Sequence, residues 1–158
     1  MMTNRNSQER VLIFGVHTDA YTDHLFETLM DEMEELTQTA GGEVVAVVTQ
    51  RLHTLNAHTA VGSGKLKEIA NTVDFEEIDL VIAMNELKPS MNRQLEEVLE
   101  VRVIDRVQLI LDIFALRAKS REGQLQVELA QNEYLLPRLH GQGLAMSRLG
   151  GGIGTRGP

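Results

Sequence analysis

The sequence predicts an α/β fold in which a small parallel sheet is flanked by helices and followed by a long helical arm. Four apolar runs are continuous rather than alternating, which is typical of strands that are covered on both faces of a parallel sheet. Segments with helical periodicity separate these runs, as expected for strands that are joined by helical crossovers. From residue 105 onward the periodicity is helical, and no further strand follows.

The strands are predicted at "VLIFGV" (11–16), "EVVAVVTQ" (43–50), "DLVIAM" (79–84) and "VRVIDR" (101–106). Helices are predicted between them over 23–36, 64–73 and 88–100, where apolar residues recur at spacings of three and four. We therefore expect residues 10–104 to form one α/β domain, preceded by a disordered leader at 1–9.

Residues 105–139 are predicted to form the helical arm. Asp105 stands at its start, where a carboxylate can accept the hydrogen bond of an otherwise free backbone N–H as an N-cap. Gly123 predicts a break near residues 119–123. Pro137 should kink or end the helix because it lacks the backbone donor. The segment looks like an arm that leaves the sheet rather than a further layer on it.

The apolar stripe of this arm has no obvious partner in the chain. An amphipathic helix is stabilised mainly by the packing of its apolar face. The arm therefore folds back on the sheet, pairs with a second copy, or is half of a helical hairpin whose return helix lies outside the sequence. In the second case the pairing residues are expected to be Leu125, Leu129 and Leu136.

The composition excludes several classes of protein. The chain of 158 residues contains no cysteine, which excludes disulfides, thiolate catalysis and cysteine-ligated zinc. The start "MMTNRNSQER" lacks the apolar run of a signal peptide, and no apolar segment approaches the ~20 residues of a membrane span. We therefore expect a cytoplasmic protein without a membrane span. A net charge of −8 argues against general binding to nucleic acids.

The charges are distributed unevenly along the chain. After Glu133 the formal charges are only Arg138, Arg148 and Arg156, so this end carries +3 of the net −8 and the remainder −11. Seven of the 13 glycines also lie within the tip at 140–158, which we expect to be disordered. An acidic body with a basic, glycine-rich end predicts an anionic target for that end alone.

The stretch "VGSGKLKEIA" (61–70) is the better of two candidates for a phosphate-binding loop. Gly62, Ser63, Gly64 and Lys65 precede a predicted helix, but a P-loop requires glycine at position 59 and a hydroxyl residue at position 66. The chain has Thr59 and Leu66 there. A tight turn is the main interpretation, and weak binding of a nucleotide such as ATP is the alternative. The terminal "GGGIGTRGP" has glycines but neither a helix start nor a lysine.

The remaining candidate groups favour structural roles. His17 and Asp19 follow the first strand and are best explained as a loop histidine and a capping aspartate. His53 and His58 lie five residues apart without an obvious third ligand, which makes a metal site improbable. We find no nucleophile and base pair above chance, so we predict no catalytic residue and no metal.

Four stretches of the chain resemble one protein family. "VRVIDRVQLILDIFALRAKSREGQLQVELAQNEYLLPRL" (101–139) and "MSRLGGGIGTRGP" (146–158) are similar to the N-terminal portion of HflX-type translational GTPases. "VGSGKLKEI" (61–69) and "NELKPSMNRQLEEVLE" (85–100) match the same region. The resemblance covers about residues 11–158.

The resemblance implies a function and an order of domains. Such proteins have an N-terminal α/β domain, a helical hairpin and then a GTPase domain. They bind the large ribosomal subunit and its rRNA, and they split or rescue stalled ribosomes under stress. The return helix and the GTPase domain, with GTP and magnesium, would lie beyond Pro158, so this chain alone should not hydrolyse GTP. The RNA-contacting residues implied here are Arg148, Gly150, Gly151, Gly152, Gly154, Thr155 and Arg156. The basic charge of the same end adds Arg138 as a candidate RNA contact.

Overall fold

The computed structural model describes residues 8–138 and contains a four-stranded parallel sheet between two helical layers. The predicted fold class is confirmed, as are all four strands and the three helices between them. The leader and the tip were predicted to be disordered, and residues 1–7 and 139–158 lie outside the described residues. The elements are β1 (Arg10–His17), α1 (Asp23–Thr39), β2 (Glu43–Arg51), α2 (Ser63–Phe75), β3 (Leu80–Ala83), α3 (Pro89–Leu99), β4 (Arg102–Asp105), α4 (Arg106–Arg117), α5 (Arg121–Leu135) and a terminal 3₁₀ turn (Leu136–Arg138).

The strand order is β2-β1-β3-β4, with every neighbouring pair parallel. The central strand β1 is buried on both faces, which explains why its apolar run is continuous. On one face Val11 and Ile13 pack against α1 and α4. On the other face Leu12 and Phe14 pack against α2 and α3. An irregularity in the pairing of β1 with β2, between Val11 and Leu12, gives β2 one additional residue.

Gly15 allows α1 to lie close to the centre of the sheet. A Cβ atom at this position would come within 2.3 Å of the Sδ atom of Met30 on α1. Because Met30 and its neighbours on α1 fill the core on this face, any larger residue at position 15 must displace the helix or the methionine.

The helical segment after the sheet takes a different path from the predicted arm. Its first half does not leave the sheet, because the side chains of Leu109 and Ile113 on α4 are buried in the core beside α1. The chain then breaks at 118–120, close to the predicted position, and α5 returns antiparallel along α4. Of the three alternatives, the described residues therefore show a segment that folds back.

Polar contacts explain this path. Gln131 on α5 donates a hydrogen bond to Asp112 Oδ1 on α4 at 2.9 Å. The hydroxyl of Ser120 accepts a hydrogen bond from the N–H of Gly123 at 2.9 Å, which caps α5 and places Gly123 inside its first turn rather than at the break. The helix ends at Leu135, and Pro137 lies in the terminal turn, as predicted.

We predict that Gly15→Ala lowers the stability of the domain by about 1–3 kcal/mol, because the methyl group overlaps Met30 and overpacks the core. The measurement is chemical denaturation of both proteins, followed by circular dichroism. Gly64→Ala is the matched control, since a Cβ atom at that position meets no atom within 4 Å. It should leave stability unchanged or raise it by up to about 1 kcal/mol. Equal stabilities for the two variants would contradict the close approach of α1 to the sheet.

Candidate functional site at the carboxyl edge of the sheet

The carboxyl ends of the four parallel strands meet at one edge of the sheet, which we call the carboxyl edge. In open α/β sheets ligands bind at this edge, in the crevice where the strand order reverses, here between β1 and β3. The buried side chain of Asn85 fills this position. Its Oδ1 accepts a hydrogen bond from the N–H of Val16 at 2.8 Å, and its Nδ2 donates one to the carbonyl of Val16 at 3.0 Å. The side-chain amide of Asn85 therefore occupies the position at which ligands bind in other open α/β sheets.

Asp105 connects four elements beside this crevice. Its Oδ1 accepts a hydrogen bond from the N–H of Gln108 at 3.1 Å, which confirms the predicted N-cap of α4. Its Oδ2 accepts further hydrogen bonds from the N–H of Leu87, at 2.9 Å, and from the hydroxyl of Tyr134 on α5. Burial and the neighbouring Asp105 carboxylate raise the pKa of the Tyr134 hydroxyl, which therefore remains a donor.

Arg138 completes this group of contacts. Its guanidinium lies over the ring of Tyr134, 3.6 Å from the centroid, as in a cation–π interaction. It donates hydrogen bonds to the carbonyls of Tyr134, at 2.8 Å, and Leu87, at 2.5 Å. Arg93 on α3 donates to the carbonyl of Pro137 at 3.2 Å. We call Leu87, Asp105, Tyr134 and Arg138 the Asp105 clamp, because together they attach the end of α5 to the sheet.

The clamp fixes the position of Arg138, the last described residue. It lies at the carboxyl edge, next to the β3–α3 connection. The predicted contact of Arg138 with RNA stays a prediction, and in this structure its guanidinium is used within the chain. The other predicted RNA-contacting residues lie outside the described residues: Arg148, Gly150, Gly151, Gly152, Gly154, Thr155 and Arg156.

The loop that was considered for phosphate binding forms the start of α2. Gly62 is the N-cap without a side-chain cap, and its own N–H donates to Gln50 Oε1 at 3.0 Å. Lys65 forms an ion pair with Glu68 at 3.0 Å. Ser63 and Gly64 begin the helix, so these residues form a turn and a first helical turn, as the main interpretation stated.

Asp19 and His53 contact each other, whereas His17 contacts α1. Asp19 bonds to Arg51 at 2.8 Å and to His53 Nδ1 at 3.1 Å, and hydrogen bonds from Arg51 and then His53 hold the pKa of Asp19 below its usual value. The ring of His17 stacks on Phe26, with 4.6 Å between the centroids.

His58 donates its backbone N–H to Asn56 Oδ1 at 2.9 Å, in the loop after β2. Between residues 8 and 138, no three histidine, aspartate or glutamate side chains are grouped so that they could hold a metal ion. In the same part of the chain, no helix combines the length and apolarity that a bilayer crossing requires.

Sequence analysis missed Tyr134 and Asn85. Tyr134 and Arg138 are four residues apart, the spacing at which side chains meet on one helix face, so their pairing had a local signal. Asn85 had none, because its partner Val16 is 69 positions away along the chain.

We predict that Tyr134→Phe loosens α5, since it removes one of three donors to the buried Asp105 carboxylate. The cost should be about 1–3 kcal/mol. Hydrogen exchange should therefore accelerate in residues 121–138. Tyr21→Phe is the control, because no hydrogen bond of the Tyr21 hydroxyl exists among the described residues. Unchanged exchange of α5 in Tyr134→Phe would show that the clamp does not hold it.

Comparison with known proteins assigns most of the chain to the family that the sequence resembles. Residues 27–115 match the family described as GTP-binding GTPase N-terminal, and residues 117–158 match the GTP-binding GTPase middle region. The boundary between the two matches, at residue 116, lies in the last turn of α4, just before the break at 118–120.

Curated relatives named GTPase HflX cover most of the chain. The relative from Alkalihalophilus pseudofirmus is 53% identical over 150 residues, which are 95% of this chain and 35% of that protein. The relative from Escherichia coli is 44% identical over 129 residues, which are 82% of this chain and 30% of that protein. The chain thus spans about a third of the length of these relatives.

Solved structures of GTP-binding proteins share the fold. A GTP-binding protein from Sulfolobus solfataricus in complex with GDP is 26% identical, with a TM-score of 0.62 over 83% of this chain and 38% of that one. The complex of SsGBP and GDP gives a TM-score of 0.66 at 26% identity, over 89% of this chain and 39% of that one. With its N-terminal and middle-region matches and its close relatives, the chain belongs to the HflX family of GTP-binding GTPases and represents an N-terminal part of it.

Proposed function

We propose that this chain is the ribosome-binding part of an HflX-type GTPase, which contacts rRNA of the large subunit during the splitting or rescue of stalled ribosomes in the stressed cytoplasm. The observation that carries the proposal is the position of Arg138, the first basic residue after Glu133. The Asp105 clamp attaches Arg138 to the carboxyl edge. The most acidic connections lie at the opposite edge.

The two edges of the sheet differ in charge. At the opposite edge, where the strands begin and which we call the amino edge, the connections 76–79 and 100–101 contain no lysine or arginine. Their acidic residues are Glu76, Glu77, Asp79 and Glu100. At the carboxyl edge, the connections between strands and helices contain only Asp19 and Glu86 as acidic residues, and the helices α2 and α3 begin without side-chain caps, near Lys65 and Lys88 respectively. Free first-turn N–H groups and the positive end of a helix dipole attract phosphates. RNA would therefore meet the least repulsion at the carboxyl edge.

The chemistry of the tip supports the same orientation. Glycines allow a backbone to approach RNA closely because no side chain intervenes. Arg148 and Arg156 can contact phosphates and stack on unpaired bases. An acidic body would weaken indiscriminate binding, so that docking depends on the few basic groups at one edge.

The hydrolytic step belongs to another part of the protein in this proposal. The chain covers about a third of its HflX relatives, and it contains no match to the P-loop pattern. GTP and magnesium would then bind in the remainder, and the chain described here would supply the ribosomal contact.

Two alternatives rest on specific observations. The uncapped start of α2 favours weak ATP binding at Gly62–Lys65, which would raise the melting temperature as the logarithm of the ligand concentration once that exceeds the Kd. The side chains of Leu125, Leu129 and Leu136 are more than half exposed, which favours self-association through α5. Light scattering over a concentration series tests the second alternative.

We predict that Arg148→Ala combined with Arg156→Ala weakens co-sedimentation with purified large ribosomal subunits. Each lost phosphate contact should reduce the slope of log K against log salt by about 0.7 to 0.9. The matched control is Arg117→Ala with Arg121→Ala, which removes the same charge at the break between α4 and α5. Equal losses in both variants would mean that only the net charge matters. Unchanged binding of the first variant would contradict the role of the tip.

A second variant distinguishes RNA contact by the tip from RNA contact by the folded carboxyl edge. Lys65→Ala combined with Lys88→Ala should weaken binding if the starts of α2 and α3 contact RNA, and should leave it unchanged if the tip alone carries the contact. If no version of the chain sediments with subunits even at low salt, the proposed function is wrong for this chain.

A further inference from the structure

We propose that the outer edge of β2, together with the groove between β2 and α1, binds an extended protein segment that carries lysine or arginine at alternate positions. The segment adds to the sheet as a fifth strand. This interaction goes beyond the RNA contact proposed above and does not depend on it, because it uses the β2 side of the sheet, at the opposite end of the strand order from the Asp105 clamp.

The two outer strands of the sheet, β2 and β4, differ in whether side chains bond to their outward backbone groups. At the β4 edge, Asn92 Nδ2 donates a hydrogen bond to the carbonyl of Val103 at 2.9 Å, and Glu96 Oε2 accepts one from its N–H at 3.0 Å. Both side chains come from α3 and are buried. They satisfy the outward backbone groups of Val103, so no further strand can pair there. Proteins commonly block exposed strand edges in such ways.

Within residues 8–138, no side chain covers the β2 edge in this way. The N–H of Leu52 donates to the carbonyl of His17 on β1 at 3.1 Å, and backbone groups of a strand point to alternate sides. The N–H and C=O groups of Val47 and Thr49 therefore point away from β1. Among residues 8–138 no strand or side chain bonds to them. This strand is nine residues long and rich in valine, which favours further pairing.

A groove with one sign of charge runs beside this open edge. It is a cavity of 440 Å³ with an apolar floor formed by Phe26 and Met30. The side chain of Val47, on the same face of β2, is 43% exposed. The carboxylates of Asp23, Glu27 and Asp31 line this groove, next to the outward backbone groups of β2. The groove is lined by His17, Thr49, Asp23, Phe26, Glu27, Met30 and Asp31.

The spacing of the carboxylates fits an added strand. Asp23, Glu27 and Asp31 follow one another at intervals of four on α1, which places them about 6 Å apart along the helix. Alternate residues of a strand are about 6.7 Å apart and point to the same face. A segment with basic residues at alternate positions therefore brings one cation to each carboxylate while its backbone pairs with β2, as in other cases of strand addition.

Other occupants fit the edge less well. RNA phosphates would meet three carboxylates. The chain's own tip does not fit, since Arg148 and Arg156 are eight residues apart. A second copy would bring its own acidic α1 to the same face, and its β2 contains Arg51 as the only lysine or arginine.

The test uses the full chain and labelled peptides, followed by fluorescence anisotropy. The probe alternates lysine with threonine and valine, and the control peptide has the same composition with its lysines in one block. We expect the alternating peptide to bind about tenfold more tightly. Two N-methylated probes, one modified at the lysines and one at the residues between them, should differ, because only one set of N–H groups can face β2. Equal binding of the alternating and block peptides would overturn the proposal.

Protein variants locate the site. Glu27→Lys combined with Asp31→Lys should weaken binding about tenfold or more. Glu34→Lys combined with Glu35→Lys makes the same charge change on α1 outside the groove lining and should leave binding nearly unchanged. Thr49→Pro removes an outward donor, which an edge strand tolerates, and should also abolish binding.

If both charge-reversal pairs weaken binding equally, the attraction is general and the proposal is wrong. The proposal is also wrong if Thr49→Pro dissociates a dimer of the unbound chain, because a second copy then occupies the edge. Where Thr49→Pro does not fold, the N-methylated probes provide the same information on the unmodified protein. Co-sedimentation with ribosomal subunits reports separately on the proposed function.

Discussion

The hydrogen bonds of the Asp105 carboxylate hold together the carboxyl edge of this molecule. A carboxylate that is almost completely buried is unfavourable unless donors compensate for the lost water. Here the donors come from α4, from the β3–α3 connection and from α5. One side chain at the end of β4 thus starts one helix, positions a loop and receives a second helix. The site at the carboxyl edge exists because these elements converge there.

Local patterns were sufficient for the sheet and its helices. The strands β1, β3 and β4 are buried on both faces or nearly so, and this leaves continuous apolar runs that can be recognised without knowing their partners. The edge strand β2 has a similar apolar run, although most of its residues are half-buried or exposed. Asp105 was recognised as an N-cap for a similar reason, since the bond to Gln108 spans only three residues. The order of the strands and the role of Asn85 depend on contacts between distant positions, which periodicity does not report.

The return of α5 was the feature that the sequence could not determine. Apolar periodicity describes the face that a helix buries, but α5 buries none of its side chains completely. Its position depends on polar pairs with α4, such as that of Gln131 with Asp112. For the candidate site, prediction from the sequence was limited by the extent of the described residues. The residues that the family resemblance assigns to RNA lie beyond Arg138, and only the place from which they start is defined.

The separation of α5 from the apolar core has an evolutionary consequence. The core is completed by residues up to Ile113 on α4, and α5 is attached by polar contacts such as those of Gln131 and Tyr134. Insertions or deletions near the break at 118–120 could therefore change the length of the helical pair without opening a cavity in the sheet domain. Relatives could vary the reach of this appendage while the domain that carries it keeps its sequence constraints.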